Sequence, residues 1–447
     1  MPPPTPRRTT NTLTPKRRHW LPAALSALGF NPTQQALAAA AVINRLVEPL
    51  SEHALAGWLA GTALPDLLGE GILKGDSNRF YYVSDALLRK QVELEAHFRG
   101  QQARHFHYPR TILLYDLTNT HFEGQARGNA KAKRGKNKQG RSDCPQVVVG
   151  MVYDEHGFEM AHRTFAGNQS DSNSLVTMVQ SLRQAAGYPE SEELLPAAKV
   201  LVIVDAGVAT AANLNLLAKA HFHYLVNDTR RGRKKWQAQF AQEEQFEVLP
   251  GREDQTEVKV RAVDLPGGQR LVLCKSQGRR EKELAIRSGA EKRFVAGLEK
   301  LHARLLKGQL TDGVKTQRAL GKLLERAARV QRFYRVEFKD TADLRAGLNW
   351  QRKDEVSTED EQLLGCYVLR TDRSELGPER LWKLYVLLTQ AEDGFAALKG
   401  DLGLRPNYHQ LEGRVDAHIF ITVLAYQLLR FITYTLEQKG DYRDWPT

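Results

Sequence analysis

Three carboxylates in this 447-residue chain stand where an acid could do chemistry. Asp116 ends the apolar run Thr111-Ile-Leu-Leu-Tyr115, Asp205 follows Lys199-Val-Leu-Val-Ile-Val204, and Glu392 lies in Leu381–Lys399, which reads as one helix. At about 100° per residue, Tyr385, Leu388, Glu392, Phe395 and Lys399 share one face of that helix. The face is mostly apolar and is expected to pack inward. A glutamate there is costly unless it is paired, with Lys399 for instance, or holds a metal. Buried strands ending in aspartate place an acid at the carboxyl edge of a sheet, where open α/β sheets bind ligands; the ordinary alternative is an aspartate that caps a loop. Three acids gathered at such an edge suit hard divalent cations, which take oxygen ligands. Two such ions about 4 Å apart can activate an attacking oxygen and stabilise a leaving 3′ oxygen at phosphorus.

The elements that must position these acids follow in order. A basic, Pro-rich tail (1–20) precedes a helical region (21–105), with helices expected at Pro32–Leu50 and, capped by Ser51, at Ser51–Trp58. A first block of strands and helices (106–228) reads strand, strand, strand, helix, strand, helix, strand, with strands at Thr111–Thr118, Gln146–Tyr153, Phe158–Phe165, Lys199–Val204 and Phe222–Asn227. The first three are expected to be antiparallel neighbours in a mixed α/β sheet. Residues 229–376 look like an inserted α+β domain, with strands at Glu257–Val263, Arg270–Lys275, Phe333–Phe338 and Leu364–Arg370 around a helical tract. Residues 377–447 return to the sheet and end in an apolar helix, Val415–Leu436.

The formal net charge is +12, with 64 Lys+Arg against 52 Asp+Glu. That favours a polyanionic partner, and the basic residues cluster. Lys131, Lys133, Arg134, Lys136, Lys138 and Arg141 form one glycine-spaced run, and Arg230, Arg231, Arg233, Lys234 and Lys235 lead to Trp236. Such loops are either solvated or track a phosphate backbone. No run of about 18 apolar residues is evident, so no membrane span is expected. No export signal is read at the N-terminus, which makes a cytoplasmic protein the default. Cys144, Cys274 and Cys366 lack C-x-x-C spacing and are expected to be reduced and structural.

Tyr115-Asp-Leu-Thr118, Val204-Asp-Ala-Gly207 and Tyr385 with Glu392 and Lys399 resemble the acidic motifs of DDE transposases from bacterial insertion sequences, in the subgroup whose third motif reads Tyr, two residues, Arg, three residues, Glu, six residues, Lys. Gly140–Gln146, Gly167-Asn168 with Asp171, and Arg405-Pro-Asn-Tyr-His409 with His418 match as well. The resemblance implies a ribonuclease H-like mixed-sheet core with a β-containing insertion. It also implies Asp116, Asp205 and Glu392 as catalytic ligands of Mg²⁺, two ions with Mn²⁺ able to substitute, and Tyr385 and Lys399 on DNA phosphate. Leu388 stands where that motif has Arg, and Ala396 where Arg is usual; Arg405 or the Lys131–Arg141 loop could compensate. The family further implies double-stranded DNA as partner, a homodimer in a paired-end complex, and a residue stacking on a flipped base, for which Trp350 and Trp236 are candidates beside a plain packing role. Two rivals remain: a ribonuclease H-like nuclease without strand transfer, and a non-catalytic DNA-binding protein derived from a transposase.

Overall fold

The computed structural model describes residues 20–106, 111–135, 140–141, 143–188, 199–228, 232–249, 256–339, 344–353 and 361–443. Two compact units are present, one formed by residues 1–225 with 384–447 and the other by 226–383.

The first unit opens with helices α1 (Trp20–Ala27), α2 (Pro32–Val47), α3 (Glu52–Ala60), α4 (Leu64–Leu68), α5 (Asn78–Arg89) and α6 (Gln91–Phe106). Asn31 and Gln34 close a reciprocal capping box on α2, and the Ser51 hydroxyl accepts from Ala54 N to start α3, where a cap was expected. Strands β1 (Ile112–His121), β2 (Gln146–Asp154) and β3 (Glu159–Ala166) follow, then α7 (Asp171–Ala186), β4 (Leu201–Val204), α8 (Ala211–Lys219) and β5 (His223–Asn227). The strands lie in the order β3-β2-β1-β4-β5. β1 is antiparallel to β2 and parallel to β4, and β2 is antiparallel to β3, so the sheet is the mixed α/β sheet expected. The β2–β3 turn is fixed by Asp154, fully buried, whose carboxylate accepts from His156 N and Phe158 N at 2.9 Å each.

The second unit carries α9 (Gln237–Ala241), β6 (Glu247–Val248), β7 (Val258–Asp264), β8 (Arg270–Ser276), α10 (Gln277–Leu306), α11 (Gly313–Arg326), β9 (Tyr334–Phe338), β10 (Leu348–Arg352) and β11 (Cys366–Thr371). Strands β11-β8-β7-β6 form one ladder and β10-β9 another. β10 is a strand the sequence did not suggest. Its alternation of Leu348 and Trp350 inward with Asn349 and Gln351 outward spans too few residues to stand out.

After this unit the chain continues through α12 (Pro378–Val386) and α13 (Leu388–Lys399) to α14 (Glu412–Glu437). α14 is long and apolar enough to cross a membrane by length and composition. Here its apolar residues have protein neighbours: Ile419, Phe420, Ile421, Val423, Leu424 and Ala425 are each at most 2 % exposed, and the helix packs on α2, α5, α13 and β3. The three cysteines are buried and free, as expected.

Candidate active site

Asp116 and Asp205 each follow a residue of the paired strands β1 and β4. β1 pairs with β4 in parallel as Ile112↔Leu201 through Tyr115↔Val204, so the next residues in step are Asp116 and Asp205. Adjacent strands lie about 4.8 Å apart, and residues in step on parallel strands share a face. Asp116 continues β1 and is half-buried, its Oδ1 accepting from Leu117 N at 2.7 Å. Asp205 is the first residue past β4 and is exposed. Its carbonyl accepts from Val208 N at 3.0 Å, which folds 205–208 into a turn. A Cβ on Gly207 would lie 2.6 Å from Asp171 Oδ2 at the start of α7, so any side chain there would make Asp171 shift. Asn213 Nδ2 then ties the turn down, donating to Val208 O at 2.8 Å and Ser172 O at 2.7 Å.

The face follows from side-chain parity. Tyr115 points to the α7 side, where its hydroxyl donates to Ser174 Oγ at 2.7 Å, and burial pushes the phenol well above its usual pKa. Asp116 therefore projects from the other face, together with Tyr153, which pairs with Leu114 two residues earlier. α13 covers that face. Phe395 meets the Tyr153 ring edge-on at 5.7 Å between centroids, and a Cβ on Gly394 would come within 2.8 Å of Tyr426 Oη and 3.2 Å of Tyr153. The helix bearing Glu392 is thus laid against the face of β1 from which Asp116 projects.

Two expectations about that helix are corrected. The stretch from 381 to 399 is two helices, broken at Leu387, where short bonds from Leu387 N to Leu384 O and from Gln390 N to Leu387 O replace the regular ladder. Tyr385 is therefore on α12, so it does not share one helix face with Glu392. Nor is Glu392 buried: Ala391, Gly394, Phe395 and Leu398 carry the packing, and Glu392 is exposed on the flank of that stripe. Lys399 Nζ stands 5.4 Å from the Phe395 ring centroid on the same flank. Among the described residues, the groups of three whose ligand atoms lie within 4.8 Å of one another are Glu52/His409/His418 and Glu95/Glu159/His162; the acidic triad is not one of them.

The basic candidates separate. Lys131 Nζ is held by Asp416 at 2.8 Å and Glu412 at 3.2 Å, at the start of α14. Arg141 pairs with Asp143 at 2.9 Å and with Glu123 at 3.7 Å. Lys133 and Arg134 are exposed, on a segment whose backbone is fixed by mutual Lys133–Gln146 bonds; there a Cβ on Gly135 would fall 2.0 Å from Gly167 O. Arg405 is half-buried beside the end of β1. Lys136, Lys138, Arg230 and Arg231 lie outside the described residues. Trp350 packs on the Phe294/Leu298/Leu348 cluster, with His302 edge-on at 5.8 Å, and Trp236 packs on the Phe240/Leu271/Val368 cluster. Both indoles are partly buried packing residues of the second unit.

Two charged clusters in the first unit escaped the sequence. His162 Nδ1 sits 3.1 Å from Glu95 and 3.0 Å from Glu159, all three buried between α6, β3 and α14. Burial opposes the imidazolium, but hydrogen bonds to Glu159 and Glu95 outweigh it and raise the pKa to about 10. The second cluster joins Glu52, Arg45, His409 and His418. Burial disfavours the Glu52 carboxylate, yet His409, His418 and Arg45 hold its pKa down to about 2, while burial and Arg45 push His418 down to about 3. Of their members the sequence singled out only His409 and His418; the clustering itself joins residues from distant elements, and local spacing carries no trace of it.

The model of a family described as Transposase DDE domain matches residues 107–428. No curated protein matches the chain.

Proposed function

From the premise that this chain belongs to the DDE transposase family, we propose that it is a cut-and-paste transposase of an insertion sequence, cleaving at the element's ends and joining the freed 3′ hydroxyl to target DNA. The family is one of DNA-mobilising nuclease–transesterases that use divalent metal. The observation that supports the proposal is the β1–β4 register, which pairs Tyr115 with Val204, the residues just before Asp116 and Asp205, with α13 packed on β1.

Two adjacent aspartates with an exposed glutamate on the covering helix are hard oxygen donors, and they fit Mg²⁺. When bound, paired metal ions at such carboxylates lower the cost of the attacking and leaving oxygens in an in-line displacement. Asp116 and Asp205 hold one side of the site on a rigid sheet, and α13 presents Glu392 from above it. Three like charges resist close approach, and Asp116, Asp205 and Glu392 would hold a cation that offsets that repulsion. Tyr385, Lys399, Lys133, Arg134 and Arg405 are proposed to take phosphates of the bound duplex. Leu388, the first residue of α13, offers no guanidinium there. Residues 21–105 are the proposed end-binding region and 229–376 the proposed insertion, with a homodimer pairing two ends.

A nuclease without strand transfer is separated by supplying pre-cut 3′-hydroxyl ends and a plasmid target with Mg²⁺. Joined product is expected; cleavage of intact ends with no joining would leave the nuclease. Uptake of Mg²⁺ in calorimetry distinguishes either enzyme from an inert DNA-binding derivative, which has no need of metal.

A further inference from the structure

The two aspartates are held by different means. Asp116 lies inside β1 and is paired in register with Met151 of β2, so the ladder itself fixes its backbone. Asp205 is the first residue past β4, and its place depends on the turn that follows. That turn is closed by Val208 N donating to Asp205 O at 3.0 Å and Ala209 N donating to Ala206 O at 3.3 Å. Bonds within a turn set its shape; they do not set where it sits against the sheet and its helices.

Asn213 supplies that second condition. It lies in the first turn of α8 and is 4 % exposed. Its Nδ2 donates to Val208 O at 2.8 Å, inside the turn, and to Ser172 O at 2.7 Å, in α7. Both partners are carbonyl oxygens, so only the amide nitrogen can face them, and both of its hydrogens are used. The first turn of α7 is in turn joined to β1. Tyr115 Oη donates to Ser174 Oγ at 2.7 Å, and Ser174 Oγ donates to Asp171 O at 2.6 Å. A line of hydrogen bonds therefore runs from the residue before Asp116, through the first turn of α7, to the turn that begins with Asp205. Tyr115, Ser174, Val208 and Asn213 are all buried, so a bond lost along this line leaves a polar group without its partner and away from water.

We propose that Asn213 is a positioning residue: by fixing the 205–208 turn to α7, it sets the metal affinity of the site that Asp205 shares with Asp116 and Glu392. The inference rests on the reading of Asp205 as a metal ligand given above. A carboxylate that has to be ordered when an ion binds subtracts that ordering from the affinity, and one already held in place does not. Residues that orient a metal's ligands act in this way without touching the ion.

The test is calorimetric uptake of Mn²⁺ by the full-length chain without DNA, with amide exchange of Val208 followed in parallel. Asn213→Leu removes both donors and suits a helix. It is expected to weaken Mn²⁺ binding by about tenfold or more, the effect typical of losing a residue that orients a ligand, and to speed exchange at Val208. Asn213→Ala takes its place if the leucine variant unfolds. Tyr188→Phe is the control for stability alone. The Tyr188 hydroxyl accepts from Val200 N at 2.8 Å and donates to His221 O at 3.0 Å, before the start of β4 and so at the end away from Asp205. That variant should unfold at a lower temperature and bind Mn²⁺ as the wild type does. In single-turnover cleavage, raising Mn²⁺ should restore the rate of Asn213→Leu and not that of Asp205→Asn.

Asn213 variants with wild-type Mn²⁺ affinity overturn the proposal. An equal loss in Tyr188→Phe overturns it too, since the effect would then be lost stability. Asp205→Asn, titrated alongside, separates this inference from the reading it rests on. If Asp205→Asn loses Mn²⁺ binding while the Asn213 variants keep theirs, this inference alone fails. If Asp205→Asn binds as the wild type does, Asp205 is no ligand and the metal site proposed above fails with it.

Discussion

Replacing His162 by leucine removes the cation that joins two buried carboxylates, Glu95 and Glu159, which are 7 % and 1 % exposed. Gln91 Nε2 still donates to Glu95 at 2.7 Å and Gln427 Nε2 to Glu159 at 2.7 Å, so each acid keeps one donor, but the negative charges face each other. The cheapest relief is to protonate one of them. With an ordinary glutamate pKa of about 4.3, holding one carboxyl neutral at pH 7 costs about 3.7 kcal/mol, and at pH 5 only about 1 kcal/mol. The larger figure agrees with the ~3–5 kcal/mol typical of breaking a buried pair. The wild-type contribution also falls as pH rises. A histidine whose folded pKa is raised to about 10 stabilises fully below about pH 6.5 and loses that contribution as pH rises through its folded value. Urea unfolding of the first unit, followed by amide exchange of β3 and α6, should therefore show the leucine variant badly weakened at pH 7 and nearly recovered at pH 5. An equal loss at both pH values would mean a simple packing defect and would refute the electrostatic account.

Other expectations follow from single contacts. Gly394→Ala forces a methyl against Tyr426 and Tyr153, and should cost about 1–3 kcal/mol and slow cleavage by lifting α13, measured by thermal unfolding alongside nicking rate. Lys131→Ala, breaking pairs to Asp416 and Glu412, should change stability by less than about 1 kcal/mol and leave the salt dependence of DNA binding nearly unchanged. Lys133→Ala with Arg134→Ala, both exposed, should flatten that dependence by about 0.9 per residue in the same titration.

The strands and most helices were legible because their signals are local. The apolar runs of β1, β2 and β4 announce buried strands, and Ser51 announces a helix start. Register was not legible: nothing in the residues around Asp116 says that β4, rather than another strand, pairs in step with it. Continuous periodicity also hid the break at Leu387, since the same hydrophobic spacing fits one straight helix or two short ones. That misreading turned Glu392 into a buried acid, when the apolar stripe of α13 is carried by Ala391, Gly394, Phe395 and Leu398. Trp236 and Trp350, the candidates for stacking, are partly buried against apolar clusters of the second unit, which the sequence could not show because burial depends on neighbours far away in the chain.

The central claim is that Asp116, Asp205 and Glu392 together form one metal-dependent site. Its most direct measurement is single-turnover cleavage of the element's ends by Asp116→Asn, Asp205→Asn and Glu392→Gln, with DNA affinity followed in parallel by fluorescence anisotropy. Each substitution removes a negative ligand while keeping the side chain's size. All three should lose Mg²⁺-dependent cleavage and bind DNA about as well as the wild type; wild-type cleavage by any one of them would contradict its place in the site.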